Sequence, residues 1–202
     1  MTHQSRVFSI KEQLQNIVCA SKSFVLLRSK RRTGLMNKKL KERIMLAVTE
    51  VNGCQMCSFV HTKIALQSGM TKEQIQEILN GDTSNIPVED AVAVLFGQHF
   101  ADQKEDPTDD AIYRLVDEYG FEKAELIVAV CNMITMTNGM GISMDHLWRR
   151  IRFKSVAQSR FLYELFNPLL TMFLFPVFSL FHFMKTLYKK ASLLPNKYDL
   201  TM

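Results

Sequence analysis

The chain has 202 residues, of which 47% are hydrophobic and 22% are charged, and its formal net charge is +5. This composition excludes wholesale disorder, and the length allows one buried core with an appendage. The basic residues carry no zinc-finger, homeodomain or RNA-binding signature, so we expect no nucleic-acid partner. Four scattered cysteines and a polar N-terminal segment fit neither a secreted disulfide framework nor a signal peptide, which predicts a cytoplasmic protein.

Helical periodicity dominates the sequence, and only 8 glycines and 5 prolines interrupt it, so we predict an all-α fold. We divide the chain into an N-terminal helix with a basic linker (1–36), a compact helical domain (37–147) and a hydrophobic C-terminal helical extension (148–202). Helices are predicted at about 7–29 and 37–51, from Cys54 to a stop at Ser68-Gly69, at 72–79, from Pro87 through Phe100, from Pro107 to Gly120, and at 122–137.

Two of these helices carry specific local patterns. Thr71 is the expected N-cap of the helix at 72–79, with Gln74 in the capping-box position. The first helix is expected to be amphipathic, because its apolar residues recur at helical spacing. They are Val7, Ile10, Leu14, Ile17, Val18, Phe24 and Leu27.

Cys54 and Cys57 have C-x-x-C spacing, and His61 lies four residues beyond the second cysteine. Asn52-Gly53 comes directly before them and predicts a turn that ends one helix and starts the next. On a helix that begins near Cys54, these spacings put both thiols and the imidazole on one face. Because the first turn of a helix favours thiolate over thiol, the arrangement is typical of a reactive cysteine pair that attacks peroxides or disulfides.

A carboxylate would complete a proton relay with the imidazole, and the preceding helix supplies both Glu42 and Glu50. The residues alone do not decide between the two. A zinc site is one alternative, with Cys131 or His99 as the fourth ligand, and a pair of buried structural cysteines is another. A thioredoxin-type fold is disfavoured, because no strand pattern precedes the C-x-x-C.

Residues 165–184 contain no Asp, Glu, Lys or Arg, are rich in phenylalanine, and are flanked by basic residues at both ends. This is about the length of a helix that crosses a bilayer core, although Pro168 and Pro176 are expected to kink it. Three interpretations stay open: a membrane span, a helix in the membrane interface, and an arm packed on a partner subunit. Two of the three add membrane contact to the cytoplasmic location.

The pattern E-x11-C-x2-C-x3-H, formed by Glu42, Cys54, Cys57 and His61, resembles the alkylhydroperoxidase D-like branch of the carboxymuconolactone decarboxylase family. The resemblance extends over about 37–147 and includes the cysteine helix, the glycine break and the short helix that follows. It implies an all-α fold that assembles as a homotrimer or homohexamer. It also implies peroxide reduction or thiol–disulfide exchange.

Individual roles follow from the same resemblance. Cys57 would attack a hydroperoxide, Cys54 would resolve the product as a disulfide, and Glu42 and His61 would form the proton relay, with Glu50 as the alternative carboxylate. A dithiol, such as the lipoyl group of a partner protein, would then reduce the pair. We expect no cofactor and no metal.

The sequence departs from the family pattern at two places. Met56 stands where family members often carry histidine or tyrosine, and Asn138-Gly139 stands where an asparagine-arginine pair is common. Both bear on the efficiency and the physiological substrate more than on the site itself. Two other functions stay open: a membrane-associated redox sensor or scaffold, and a carboxymuconolactone decarboxylase-like enzyme. The decarboxylases proper lack the cysteine pair, which makes the last the weaker inference.

Overall fold

The computed structural model describes residues 5–154, 156 and 159–192. In these ranges the chain forms seven helices and no strand, which confirms the all-α prediction. The helices are α1 (Ile10–Ser29), α2 (Lys38–Asn52), α3 (Gln55–Gln67), α4 (Lys72–Leu79), α5 (Val88–Asp102), α6 (Asp109–Ile151) and α7 (Phe161–Ser192).

Side-chain and glycine caps fix where several helices begin and end. At α4, the Thr71 hydroxyl accepts the Gln74 N–H and the Gln74 side chain accepts the Thr71 N–H, as the capping-box pattern predicted. Ser9 and Glu12 form the same arrangement at α1. Helix α2 ends at Gly53, whose φ of 69° is left-handed. The chain turns there directly into α3, so the position of α3 depends on that of α2.

The main core lies between α2, α5 and α6, and a smaller cluster joins α2 to α3 and α4. The main core includes Leu40, Ile44, Val48, Phe96, Phe100, Ile127 and Ile134. The smaller cluster includes Leu46, Ala65, Met70, Ile75 and Ile78. Because α2 is packed on both sides, it forms a fixed base for the cysteine-bearing α3.

Helix α6 is longer than its sequence predicted. The expected break at Gly120 is present, with φ 71° and ψ 161°, and helix continues on both sides of it. The expected end near Thr137 was wrong, because α6 runs on to Ile151. Neighbouring structure encloses the additional turns: Asn138 and Ser143 are buried, and Ile142 lies in one buried cluster with the two cysteines. The Asn-Gly pair in this stretch therefore does not stop the helix.

The buried face of α1 is more polar than its apolar pattern predicted. Ile17 is buried as expected, but Phe24 is 38% exposed and Gln13 is fully buried instead. Helix α1 packs against both α6 and α7. The Gln13 Nε2 atom donates to the Met136 carbonyl oxygen at 3.0 Å and to the Thr171 hydroxyl at 2.7 Å. Polar contacts to two helices thus replace part of the expected apolar contact.

Within the described part of the chain, α6 and α7 are both long and apolar enough to cross a membrane, but their burial differs. In the most apolar window of α6, 72% of the residues are buried inside the molecule, against 17% in α7. Helix α6 is therefore explained as a core helix. Helix α7 continues through Pro168 and Pro176 and leaves much of its apolar surface exposed.

Candidate active site

Cys54 and Cys57 lie at the start of α3 and are joined by a disulfide bond. Cys54 is the N-cap of α3, and its Sγ accepts a hydrogen bond from the backbone N–H of Cys57 at 3.3 Å. At this end of the helix, backbone N–H groups and the helix dipole stabilise negative charge on sulfur in the reduced state. The pair therefore combines an intramolecular disulfide with surroundings that favour a thiolate.

Helix α6 passes close to the cysteine pair because residue 141 is glycine. A Cβ at Gly141 would lie 2.9 Å from the Cys54 Sγ and 3.0 Å from the Cys57 Sγ, which leaves no room for a side chain. The Cys57 Sγ is also 3.6 Å from the Thr137 carbonyl oxygen, and Phe8 packs on the pair. Sequence reasoning missed Gly141. The available signal was a glycine inside an apolar helix, which often marks a packing or functional contact.

The structure brings Glu42 and His61 together. The His61 Nδ1 and the Glu42 Oε2 are 2.8 Å apart, and the two side chains are only 14% and 5% exposed. This contact forms because the turn between α2 and α3 folds one helix back along the other. Glu50 lines a surface cavity beside Cys54 instead. His61 follows Cys57 by one helical turn, so the imidazole and the Cys57 sulfur share one face of α3.

Two cavities lie beside the cysteine pair. The first, of about 360 Å³, is lined by Thr49, Glu50, Gly53, Cys54, Gln55, Ser58, Phe59 and Leu79. The second, of about 290 Å³, is almost wholly apolar and is lined by Met56, Met144, Asp145, Leu147, Trp148 and Ile151. Met56, which lines the second cavity, and both cysteine sulfur atoms lie near Gly141: a Cβ there would lie 3.7 Å from the Met56 Cε.

The two residues considered as a fourth zinc ligand have other surroundings. Cys131 is fully buried in the core between α2, α5 and α6, and this burial raises the pKa of its thiol. The His99 Nε2 accepts a hydrogen bond from the Thr108 backbone N–H at 3.2 Å. Among the described residues there is no group of three or more His, Cys, Asp or Glu side chains that could hold a metal ion. The zinc interpretation therefore has no support from the arrangement of these side chains.

The sequence of residues 24–95 matches the model of the Carboxymuconolactone decarboxylase family. This helical segment is similar to that family. The match covers about a third of the 202 residues and includes Glu42, Cys54, Cys57 and His61. No curated protein and no solved structure matches the chain.

Part of the surroundings of the cysteine pair comes from outside the family segment. Gly141 and Thr137 belong to α6, and Phe8 precedes α1, yet all three lie against Cys54 or Cys57. The matched range also differs from the 37–147 over which the sequence resembles the family: it begins earlier, within α1, and ends within α5. The flanking helices of this chain therefore complete the enclosure of a site whose chemistry-bearing residues lie in the family segment.

Proposed function

We propose that the protein is a thiol-dependent oxidoreductase that reduces a hydroperoxide, or exchanges disulfides, through Cys54 and Cys57. The observation that carries this proposal is the disulfide at the start of α3, with the His61–Glu42 pair one turn beyond Cys57. Similarity to the matched family is compatible with a peroxidase or a decarboxylase. The disulfide favours the peroxidase, because two cysteines that close a bond can carry two electrons.

The first step is the reduction of a hydroperoxide, ROOH, by Cys57. His61 accepts the thiol proton at Nε2, which is free to act as a base when Nδ1 donates to the Glu42 carboxylate. The Cys57 thiolate attacks the distal peroxide oxygen, the O–O bond breaks, and Cys57 becomes a sulfenic acid. The alkoxide leaves with the proton from His61, so the step yields one alcohol and returns the imidazole to its starting state.

The second step closes the disulfide and the third opens it. The Cys54 thiol attacks the sulfenic sulfur of Cys57, an S–S bond forms, and hydroxide leaves with the thiol proton as water. A dithiol reductant then attacks the disulfide, passes through a mixed disulfide, and leaves as its own cyclic disulfide with both cysteines reduced. A lipoyl group is such a dithiol, as the family resemblance suggests. In pure thiol–disulfide exchange the peroxide step is absent.

Two features support Cys57 as the attacking residue. It is one helical turn from His61, whereas Cys54 is two turns away. Cys57 is 8% exposed and Cys54 only 1%, so an incoming peroxide meets Cys57 more readily. The apolar cavity beside Met56 would hold the alkyl group of an organic hydroperoxide.

Helix α3 also supports the proposed homotrimer or homohexamer. Only Cys57 and Ala65 of its residues are buried, while Phe59 is 62% exposed and Val60 45%. Large apolar side chains beside an enclosed redox pair are the kind of surface that a second subunit covers.

The decisive test is a peroxidase assay on the full chain with cumene hydroperoxide and either a dithiol or a monothiol reductant. We expect turnover with the dithiol, a Cys54–Cys57 disulfide after peroxide alone, and loss of both in Cys57→Ser. In Cys54→Ser, one equivalent of peroxide should be consumed and a sulfenic acid should accumulate at Cys57. Unconsumed peroxide, with no disulfide in the wild type, would contradict the proposal. Sulfenic acid at Cys54 in Cys57→Ser would reverse the assigned roles.

A second function, a redox sensor, is favoured by one contact. Phe8 lies in one buried cluster with Cys54 and Cys57, and its carbonyl oxygen accepts a hydrogen bond from Asn167 Nδ2 of α7 at 2.8 Å. A single residue thus links the cysteine pair to α7. If the pair controls α7, reduction should increase hydrogen exchange at the start of α7 more than in the early part of α6. Equal exchange in the oxidised and reduced protein would argue against a sensor.

A further inference from the structure

Helix α7 buries several polar residues and exposes a row of large apolar ones, which is unusual for a helix on the surface of a soluble protein. Its polar residues Glu164, Asn167, Thr171 and Ser179 are buried. Its apolar residues at spacings of three and four form an exposed stripe, each side chain being 39% to 63% exposed. This outer stripe consists of Phe166, Leu169, Phe173, Val177, Leu180 and Met184. It extends for about 27 Å along the helix.

The buried side of α7 is attached along its length to α1 and α6. At its start, the Arg150 guanidinium contacts the Glu164 carboxylate with two hydrogen bonds of 2.7 and 2.8 Å. Further along, Thr171 accepts a hydrogen bond from Gln13 of α1. Later still, Phe175 packs edge-to-face on Phe24 with ring centroids 5.8 Å apart. Because α7 is attached to the domain at all these points, its long axis lies along the domain surface and its outer stripe faces away from the domain.

These attachments argue against a transmembrane orientation. A span would carry Glu164 and Thr171 into hydrocarbon, or would bring α1 with them, whose Lys11, Glu12 and Lys22 are charged. Charged and polar groups in the bilayer core cost several kcal/mol when they lose their partners. If α7 instead lies in the plane of the membrane–water interface, all of these contacts to α1 and α6 are kept.

The charges around the outer stripe identify its partner. Residues 165–189 contain no Asp or Glu, whereas exposed cations lie at both ends of the stripe. They are Arg152, Lys154 and Arg160 before it and Lys185 after it. If two copies packed stripe to stripe, a basic end would face a basic end in either the parallel or the antiparallel orientation. An anionic lipid surface complements both ends at once.

We propose that the outer stripe of α7 binds the surface of a membrane that contains anionic lipids, with α7 lying in the plane of the interface. The stripe enters the boundary between headgroups and acyl chains, and the flanking basic side chains contact the headgroups. The buried side of α7 holds the domain against the membrane. This inference does not depend on the redox chemistry, since no proposed catalytic residue takes part.

The first test is flotation of the full chain with vesicles of phosphatidylcholine, with or without one-third phosphatidylglycerol. We expect binding to the anionic vesicles that weakens in 0.5 M NaCl. A Phe173→Asp/Leu180→Asp variant should lose roughly a hundredfold in affinity, because each of the two apolar side chains contributes at least about a factor of ten.

The matched control is Tyr113→Asp/Phe121→Asp, which makes the same change at two side chains that are 75% and 71% exposed on α6. It should bind as the wild type does. Circular dichroism checks that both variants are folded. No flotation of the wild type, or equal loss in the two variants, would overturn the proposal.

The second test measures the depth of the stripe. Trp148 is the only tryptophan, so a Trp148→Phe background allows a single tryptophan to be placed at 166, 173 or 184. Brominated lipids should quench all three at the same shallow depth. A deeper position for 173 than for 166 and 184 would show a span. Absence of quenching together with a doubled mass in solution would show a second copy. Either result would overturn the proposal.

Discussion

The imidazole of His61 and the carboxylate of Glu42 lie 2.8 Å apart, although the two residues are on different helices and 19 positions apart in the sequence. The contact depends on the left-handed turn at Gly53, which folds α3 back along α2. It orients the imidazole one turn from Cys57 and fixes which ring nitrogen carries the proton. The cysteine pair and the relay are thus positioned by the same tight turn.

Glu42→Gln should lower kcat/KM for a hydroperoxide by about 100-fold, the lower end of what acid–base catalysis contributes. The amide keeps the shape of the side chain but removes the charge that orients and stabilises the imidazole. The pH profile of kcat/KM should change as well, which a simple loss of stability would not cause. The control is Glu50→Gln, which should retain most of the activity. The reverse result would make Glu50 the relay carboxylate.

Gly141→Ala should destabilise the oxidised protein by about 1–3 kcal/mol, because its Cβ would lie within 3.0 Å of both sulfur atoms. The measurement is urea unfolding of the oxidised protein. In a Cys54→Ala/Cys57→Ala background the sulfur atoms are gone, and the same substitution should be neutral or stabilising, because alanine favours helix by about 1 kcal/mol over glycine. An equal cost in both backgrounds would mean that another contact is responsible.

Local signals in the sequence predicted much of the fold. The capping box at Thr71, the turn at Gly53 and the break at Gly120 all depend on residues within a few positions, so periodicity and cap chemistry were enough. Features that depend on a distant helix were not predictable. The polar buried face of α1 requires Thr171 as a partner for Gln13, 158 positions away.

In the candidate site, too, the local features were predictable from the sequence and the features that depend on a distant helix were not. The shared face of Cys54, Cys57 and His61 follows from spacing on one helix. The choice between Glu42 and Glu50 required knowledge of how α2 and α3 pack, which spacing alone does not contain. Gly141 was missed because its role is set by the approach of α6 to the cysteine pair.

Glu164→Gln should reduce the stability of the protein at pH 7 and should remove part of its pH dependence. The hydrogen bonds from the Arg150 guanidinium lower the pKa of Glu164 below its ordinary value. Stability from this pair is therefore present above the ordinary glutamate pKa and is lost as the pH falls through the lowered value. We expect the variant to lower the unfolding midpoint by about 2–4 °C at pH 7 and by much less at pH 3.

The matched control for this prediction is Glu122→Gln. Glu122 also contacts a cation, Lys30 at 2.8 Å, but its side chain is 63% exposed. Solvent screens such a pair, so the unfolding midpoint should change little at either pH. Equal effects of the two substitutions at pH 7 would mean that the Arg150–Glu164 pair does not stabilise the attachment of α7.

Alkylation should distinguish the two cysteines outside the disulfide. Cys19 is exposed, whereas Cys131 is fully buried and its pKa is raised by that burial, so its thiol stays protonated. Iodoacetamide at pH 8 should therefore label the oxidised native protein at Cys19 alone, as peptide mass spectrometry would show. Cys19→Ser should give no labelling until the protein is unfolded, when Cys131 reacts. Labelling of Cys131 in the native protein would mean that the core between α2, α5 and α6 opens readily, and the fixed base beneath α3 would then be in question.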